Sequence, residues 1–151
     1  MKKIVTGSLL AAIGLSMASI AQAQVKPETL VKQRQAAMTL QGKYFGPLGG
    51  MAQGKVPYNA EVVARNAGYL AVLDKMPWDG FTASTKDVKS AALPAVFTDT
   101  AKFKEAQDRF QAEVAKLVSV SKGGDEAAVK AQLGAVGKSC GGCHETFREK
   151  R

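Results

Sequence analysis

An all-α fold, an antiparallel four-helix bundle, is what the sequence predicts, and three observations predict it. Four segments of roughly 17 to 25 residues repeat apolar side chains at three- and four-residue steps, the period of one helix face. No stretch shows the apolar–polar alternation of a half-buried strand. The chain has 151 residues, 46% hydrophobic and 23% charged, which suits one domain and is too apolar for disorder.

Residues 1–23 precede the bundle and read as a cleaved signal peptide. Lys2 and Lys3 make the charged start, Ile4 to Ile20 the apolar run, and Ala21-Gln22-Ala23 an A-x-A cleavage site. Gly7, Ser8, Gly14, Ser16 and Ser19 dilute that run, which argues against a membrane anchor. No later stretch reads as a transmembrane segment. Cleavage after Ala23 leaves one mature domain, residues 24–151, exported to a bacterial periplasm.

The first helix is expected over Pro27 to Pro47, with Pro27 in its first turn and Leu30, Val31, Met38, Leu40, Tyr44 and Phe45 as its larger apolar residues. A Gly-rich loop follows. The second helix is expected over Asn59 to Lys75, capped by Asn59 and stopped by Pro77; Val62, Asn66, Tyr69 or Leu70, and Leu73 carry its stripe. Residues 77–98 show no periodic run and read as a long functional loop, anchored by Trp78, Phe81, Leu93, Val96 and Phe97. The third helix is expected over Asp99 to Ser121, where Phe103, Ala106, Phe110, Val114 and Leu117 form one stripe before Gly123-Gly124. The fourth is expected over Asp125 to Glu149, with Val129, Leu133, Val136, Cys140, Cys143 and Phe147 as a bundle seam.

Charge narrows the function. The whole chain carries 21 Lys+Arg against 13 Asp+Glu. Loss of Lys2 and Lys3 leaves 19 against 13, or +6. The lysines are scattered, without an Arg-rich block or interleaved aromatics, so no nucleic acid partner is expected. An acidic redox protein or an anionic membrane surface is the kind of partner such a balance suits.

Both cysteines and the single histidine fall in one stretch, Cys140-Gly141-Gly142-Cys143-His144, the C-x-x-C-H signature of covalent haem attachment. Two residues three apart on a helix share a face, so both thiols reach one porphyrin edge. His144 follows at once and can turn to the iron. A thioredoxin-like C-x-x-C would open a helix after a strand, whereas this one lies late in a helix. A disulfide between i and i+3 of a regular helix has poor geometry. A zinc site lacks a fourth ligand. Gly141 and Gly142 each cost on the order of 1 kcal/mol in a helix interior. The helix either ends near Ala135 to Gly137 or is held through the motif by haem attachment and packing; we expect the second, with fraying in the haem-free chain.

With one histidine, a second His from the same chain cannot be the sixth iron ligand. The methionines of the mature chain are Met38, Met51 and Met76. Met38 lies mid-helix and points inward by periodicity, where a methionine is ordinarily core filling.

The chain also resembles a family, the cytochromes c′ or class II c-type cytochromes, over essentially all of its mature length. The motif lies near the C-terminus. Arg34-Gln35-Ala36-Ala37-Met38 is similar to the family's Arg-Gln-x-x-(Leu/Met) segment. Pro77-Trp78-x-x-Phe81 and Leu93-Pro94-x-x-Phe97 resemble its loop anchors, and His144-x-x-x-Arg148 its proximal pattern. Ser90-Ala91-Ala92 departs from the basic pattern common there.

The resemblance implies one haem c per chain, linked through Cys140 and Cys143, in a homodimeric bundle. The iron would be five-coordinate and high-spin, with His144 axial. Met38 would close the opposite face, which admits NO and CO. Arg34 and Gln35 would lie at the haem edge, Arg34 within reach of a propionate, and Arg148 beside the proximal face. Trp78, Phe81, Leu93 and Phe97 would wall the pocket. Low-spin relatives use a first-helix Met as sixth ligand, so the alternative is a six-coordinate electron carrier ligated by Met38. A haem enzyme ranks third, because the one histidine is committed to iron and no other acid–base group is evident.

Overall fold

The computed structural model describes residues 25–150. The expected signal peptide lies outside the described residues. Among the described residues the elements are helices and turns: α1 (Pro27–Ala52), α2 (Ala60–Leu73), α3 (Ala95–Thr98), α4 (Thr100–Val120) and α5 (Glu126–Phe147).

The helix starts follow local chemistry. Asn59 accepts from the Val62 amide at 2.9 Å, Asp99 from Lys102 at 3.4 Å, and Asp125 from Ala127 and Ala128 at 2.9 and 3.3 Å. Each satisfies amides that the first helical turn leaves unpaired. The expected starts therefore hold, with the acid or amide as the cap.

The ends hold less well. α1 does not stop at Pro47 but carries it inside and continues to Ala52. An internal proline costs ~3 kcal/mol or more. Leu48 and Met51, beyond it, are buried at 0% and 6% exposure. Each such burial contributes about 1.5–3 kcal/mol, enough together to offset the proline. The helix then ends on Gly54 (φ 68°), with Gly54 N–H donating to Met51 O (3.2 Å) and Lys55 N–H to Gly50 O (2.9 Å). This is a Schellman closure, and the positive φ requires the glycine.

α2 ends at Leu73 rather than Lys75, and α5 at Phe147 rather than Glu149. The α5 helix ends because Arg148 turns extended (φ −130°, ψ 141°) and pairs antiparallel with Ala92. Leu93 N–H donates to Phe147 O at 2.9 Å and Glu149 N–H to Ala91 O at 2.8 Å. α5 runs unbroken through Gly141-Gly142, as expected.

The helices form an antiparallel four-helix bundle, with α3 a single turn in the long connection. Gln41 Nε2 donates to Leu73 O (2.9 Å) and Asn66 Nδ2 to Tyr44 O (3.0 Å), so α1 and α2 run in opposite directions. The close-packed core fills one half: Leu48 of α1, Val63 and Leu70 of α2, Val114 and Leu117 of α4, and Val129, Leu133 and Val136 of α5, each at most 1% exposed. Leu70, not Tyr69, takes the inward position; Tyr69 is exposed. The other half holds the first part of α1 and the last part of α5. There the loop of residues 77–98 closes the bundle, folded into 3₁₀ turns at Trp78–Gly80 and Ala83–Thr85 before α3.

Candidate haem site

The loop half encloses a cavity of about 780 Å³, within the size range of cofactor pockets. α5 supplies Ser139, Cys140, Cys143, His144 and Phe147, with Arg148 at its end. α1 supplies Arg34, Gln35, Met38, Gln41 and Phe45. Helical spacing puts Cys140 and Cys143 on one face, both as free thiols. Burial pushes the Cys140 thiol up to about 11, and burial likewise raises Cys143, which Arg148 partly counteracts. Both are therefore protonated near neutral pH.

Aromatic rings wall the cavity in a connected series. Phe81 meets Phe103 edge-on (centroids 5.0 Å), Phe103 meets Phe147 (5.2 Å), and Trp78 meets Phe103 (6.0 Å). The Trp78 indole N–H donates to Asp74 O at the end of α2. These contacts join the loop, α4 and α5 into one apolar surface.

Arg34 is 3% exposed. It is therefore not a solvated surface charge. Its guanidinium donates to Gly80 O, to Thr85 Oγ1 (3.1 Å) and to Ser90 Oγ (2.9 Å), and lies 4.3 Å over the Phe81 ring. Burial lowers its pKa from the ordinary arginine value. It remains a cation, because arginine starts so high.

The structure brings together most of the residues singled out from sequence: Arg34, Gln35, Met38, Trp78, Phe81, Cys140, Cys143, His144 and Arg148 all line this cavity. Leu93 and Phe97 do not. Leu93 instead ties the loop to Phe147 through its backbone, and Phe97 belongs to the one-turn α3. Arg148 stands one turn past His144, its amide donating to His144 O at 3.2 Å, and there it caps α5 in extended conformation rather than continuing the helix. Sequence reasoning missed Phe103 and Phe110, read as core, and Phe45. Their position on the cavity half of the stripes is the signal that would have found them.

The lining suits a covalently held haem. It has two neutral thiols on one helix face, an adjacent imidazole and aromatic walls. Among the described residues it has two arginines and no carboxylate. Arg148 Nε is buried without a hydrogen-bond partner, an unspent donor at the cavity. An apolar disc with anionic edge groups matches that set.

Comparison with known proteins gives the same class. The family model described as cytochrome c′ matches residues 29–148. Cytochrome c′ of Rubrivivax gelatinosus is 44% identical over 126 residues, 83% of this chain and 98% of that one. Its crystal structure superposes with a TM-score of 0.79 at 41% identity, covering 84% of this chain and all of that one. Cytochrome c prime from Shewanella frigidimarina gives a TM-score of 0.80 at 33% identity, covering 85% and 100%. Two structures of cytochrome c prime variants from Alcaligenes xylosoxidans, one a nitric oxide complex and one carbon monoxide bound, match at 36% identity with TM-scores of 0.78 and 0.77, each covering 85% of this chain and all of that one.

The protein is thus a four-helix bundle haem protein. The chain belongs to the cytochrome c′ family, and its cofactor is one haem c, linked through its two cysteines, Cys140 and Cys143.

Proposed function

We propose that the protein binds small uncharged gases, NO and CO, at a haem c iron held by His144, and that it also passes electrons. One observation carries this reading: His144, the chain's only histidine, and Met38 line the same cavity from α5 and α1. A haem held by the chain's one imidazole would keep a coordination site that no second histidine fills. The gas complexes of the Alcaligenes variants support the same assignment. The haem supplies an iron that takes an axial ligand and cycles by one electron.

The remaining work falls to the chain. Trp78, Phe81, Phe103 and Phe147 exclude water and favour an uncharged ligand. Met38 closes the α1 side. Arg34 and Arg148 offer charge-assisted donors to the propionates. Gln35, exposed at the cavity margin, is the haem-edge contact. Among the described residues no lining carboxylate stands ready to move a proton, and the chain has no second histidine, which favours binding and electron transfer over turnover.

Met38 also supports a second reading, because a thioether in this position can ligate iron. The protein would then be a six-coordinate electron carrier. Optical spectra of the oxidised and reduced protein with and without CO separate the two. A high-spin spectrum that shifts with CO supports the first reading. A sharp low-spin α band indifferent to CO would sink it.

We further assign the protein to the periplasm, on the leader of residues 1–23. No helix among the described residues is long and apolar enough to cross a membrane. It works as a homodimer, joined through the apolar face that α1, α2 and the turn after α2 leave exposed. Leu40, Tyr69, Val72 and Met76 are 39–58% exposed, and Tyr69 lies against Tyr44 (centroids 4.8 Å). Sedimentation of the wild type and a Val72→Glu variant checks this: a monomeric wild type would refute it.

A further inference from the structure

A short segment, Ser90 to Leu93, crosses the cavity margin between its two arginines. At one end, Ser90 Oγ accepts from Arg34 Nη2 at 2.9 Å. The same oxygen accepts from the Ala92 N–H at 3.3 Å, which folds the segment into a side-chain-closed turn. At the other end, Leu93 N–H donates to Phe147 O (2.9 Å) and Glu149 N–H to Ala91 O (2.8 Å), framing the Ala92–Arg148 pair. One hydroxyl oxygen therefore joins a buried cation on α1 to the backbone that holds Arg148.

We propose that Ser90 is a positioning residue that couples the two sides of the haem cavity: it sets Arg34 and Arg148 together, through the strap of residues 90–93. The inference builds on the proposed haem-site reading, in which these two cations face the cofactor. Arg34 is fixed on its other side by Gly80 and Thr85, so it is the rigid anchor. Arg148 is the adjustable end: its Nε is buried and unpartnered, and its backbone is extended rather than helical. The two strap hydrogen bonds, with its own amide bond to His144 O, hold it there. Loosening Ser90 releases the turn, and the released turn loosens the ladder to Phe147 and Glu149.

The test uses the haem-loaded protein and the variants Ser90→Ala and Ser90→Thr. Backbone amide exchange is followed at Leu93 and Glu149, with Leu117 and Leu133 as core references. Ser90→Ala is expected to speed exchange at both strap amides about tenfold, the scale for losing a hydrogen bond from a charged donor, and to leave the core unchanged. Ser90→Thr keeps the hydroxyl and restores protection. Reduction potentials of Ser90→Ala, Arg148→Gln and the double variant then test the coupling, with non-additive shifts expected. Unchanged exchange at Glu149 in Ser90→Ala, or additive potential shifts, overturns the proposal. A protein that shows coupled exchange but no CO binding would refute the gas-binding reading while leaving the strap intact.

Discussion

Arg34 and Gly80 are built around each other. The guanidinium donates to the Gly80 carbonyl, and a β-carbon at Gly80 would fall 2.9 Å from Arg34 Cβ and 2.9 Å from the Leu30 carbonyl oxygen. Glycine is required here by close approach, not by a positive φ. Gly80→Ala should destabilise the protein by roughly 1–3 kcal/mol, the usual cost of overpacking. Thermal melts measure the loss, and a shifted Phe81–Arg34 contact should alter the haem spectrum. A variant with wild-type stability would refute the close approach.

Removing the cation itself is costlier for the loop than for the core. Arg34→Leu keeps apolar bulk but leaves Gly80 O, Thr85 Oγ1 and Ser90 Oγ without this donor. Each acceptor keeps one other donor, Thr85 Oγ1, Thr82 N–H and Ala92 N–H respectively, so what is lost is hydrogen bonds from a charged group, about 1.5–3 kcal/mol each and less where water enters. The expected signature is local: faster proteolysis within residues 79–92, with the α4–α5 core still protected. Uniform loss of protection across all helices would instead assign Arg34 to global stability.

Much of this arrangement was beyond the reach of local patterns. The helix starts at Asn59, Asp99 and Asp125 were legible because each capping side chain and its amides lie within three residues. The α5 seam and the C-x-x-C-H motif were legible for the same reason: their spacing is their chemistry. The run through Pro47 was not, because burial of Leu48 and Met51 against other helices outweighs a strong local stop. The hydrogen-bond partners of Arg34 lie 46 to 56 residues away, so spacing along the chain carried no trace of the clamp. Leu93 and Phe97 were expected as pocket walls from the resemblance of Leu93-Pro94-x-x-Phe97 to the family's loop anchors. The pairing of Ala92 with Arg148 commits the backbone at Leu93 to α5, and only the fold reveals it.

Asp74 gives a pH dependence with a definite sign. It is 2% exposed, its Oδ1 has no hydrogen-bond partner, and its one nearby cation, Lys75 Nζ, stands 3.5 Å away. Burial raises its pKa above 3.8, and Lys75 only partly opposes this. The folded state therefore holds this proton more tightly than the unfolded state. Linkage then makes the group destabilising above its folded pKa, with the penalty relieved as pH falls through the raised value towards 3.8. Asp74→Asn should raise the melting temperature at pH 7, and the advantage should shrink on acidification. An advantage that grows as pH falls would show that the carboxylate is stabilised by its surroundings.

Met38→Ala separates the two coordination readings by kinetics. Under the gas-binding reading, truncation opens the α1 side of the cavity, and CO association accelerates by an order of magnitude or more. That would correspond to a barrier to association lower by at least about 1.4 kcal/mol. Under the six-coordinate reading, the same change removes a ligand and converts a low-spin spectrum to high-spin. Stopped-flow CO binding and a resting optical spectrum, taken on one preparation, decide between them.

The last turns of α5 depend on the cofactor that they hold. Gly141 and Gly142 meet no neighbouring atom within 4 Å of a built β-carbon, so protein packing is not what asks for glycine there. Each costs the helix about 1 kcal/mol relative to alanine. Without thioether links, residues 140–147 keep those weak intrinsic preferences together with the packing of Cys140 on the core, the Phe147 contact with Phe103 and the strap to Ala91 and Leu93. A Cys140→Ser, Cys143→Ser double variant, which cannot be cross-linked to haem, should therefore exchange amides over this segment markedly faster than over residues 126–136. Adding Gly141→Ala and Gly142→Ala to that haem-free chain should slow exchange again, because propensity then replaces part of what attachment supplied. Equal protection along the whole helix in the double variant would show that bundle packing alone holds α5 through the motif.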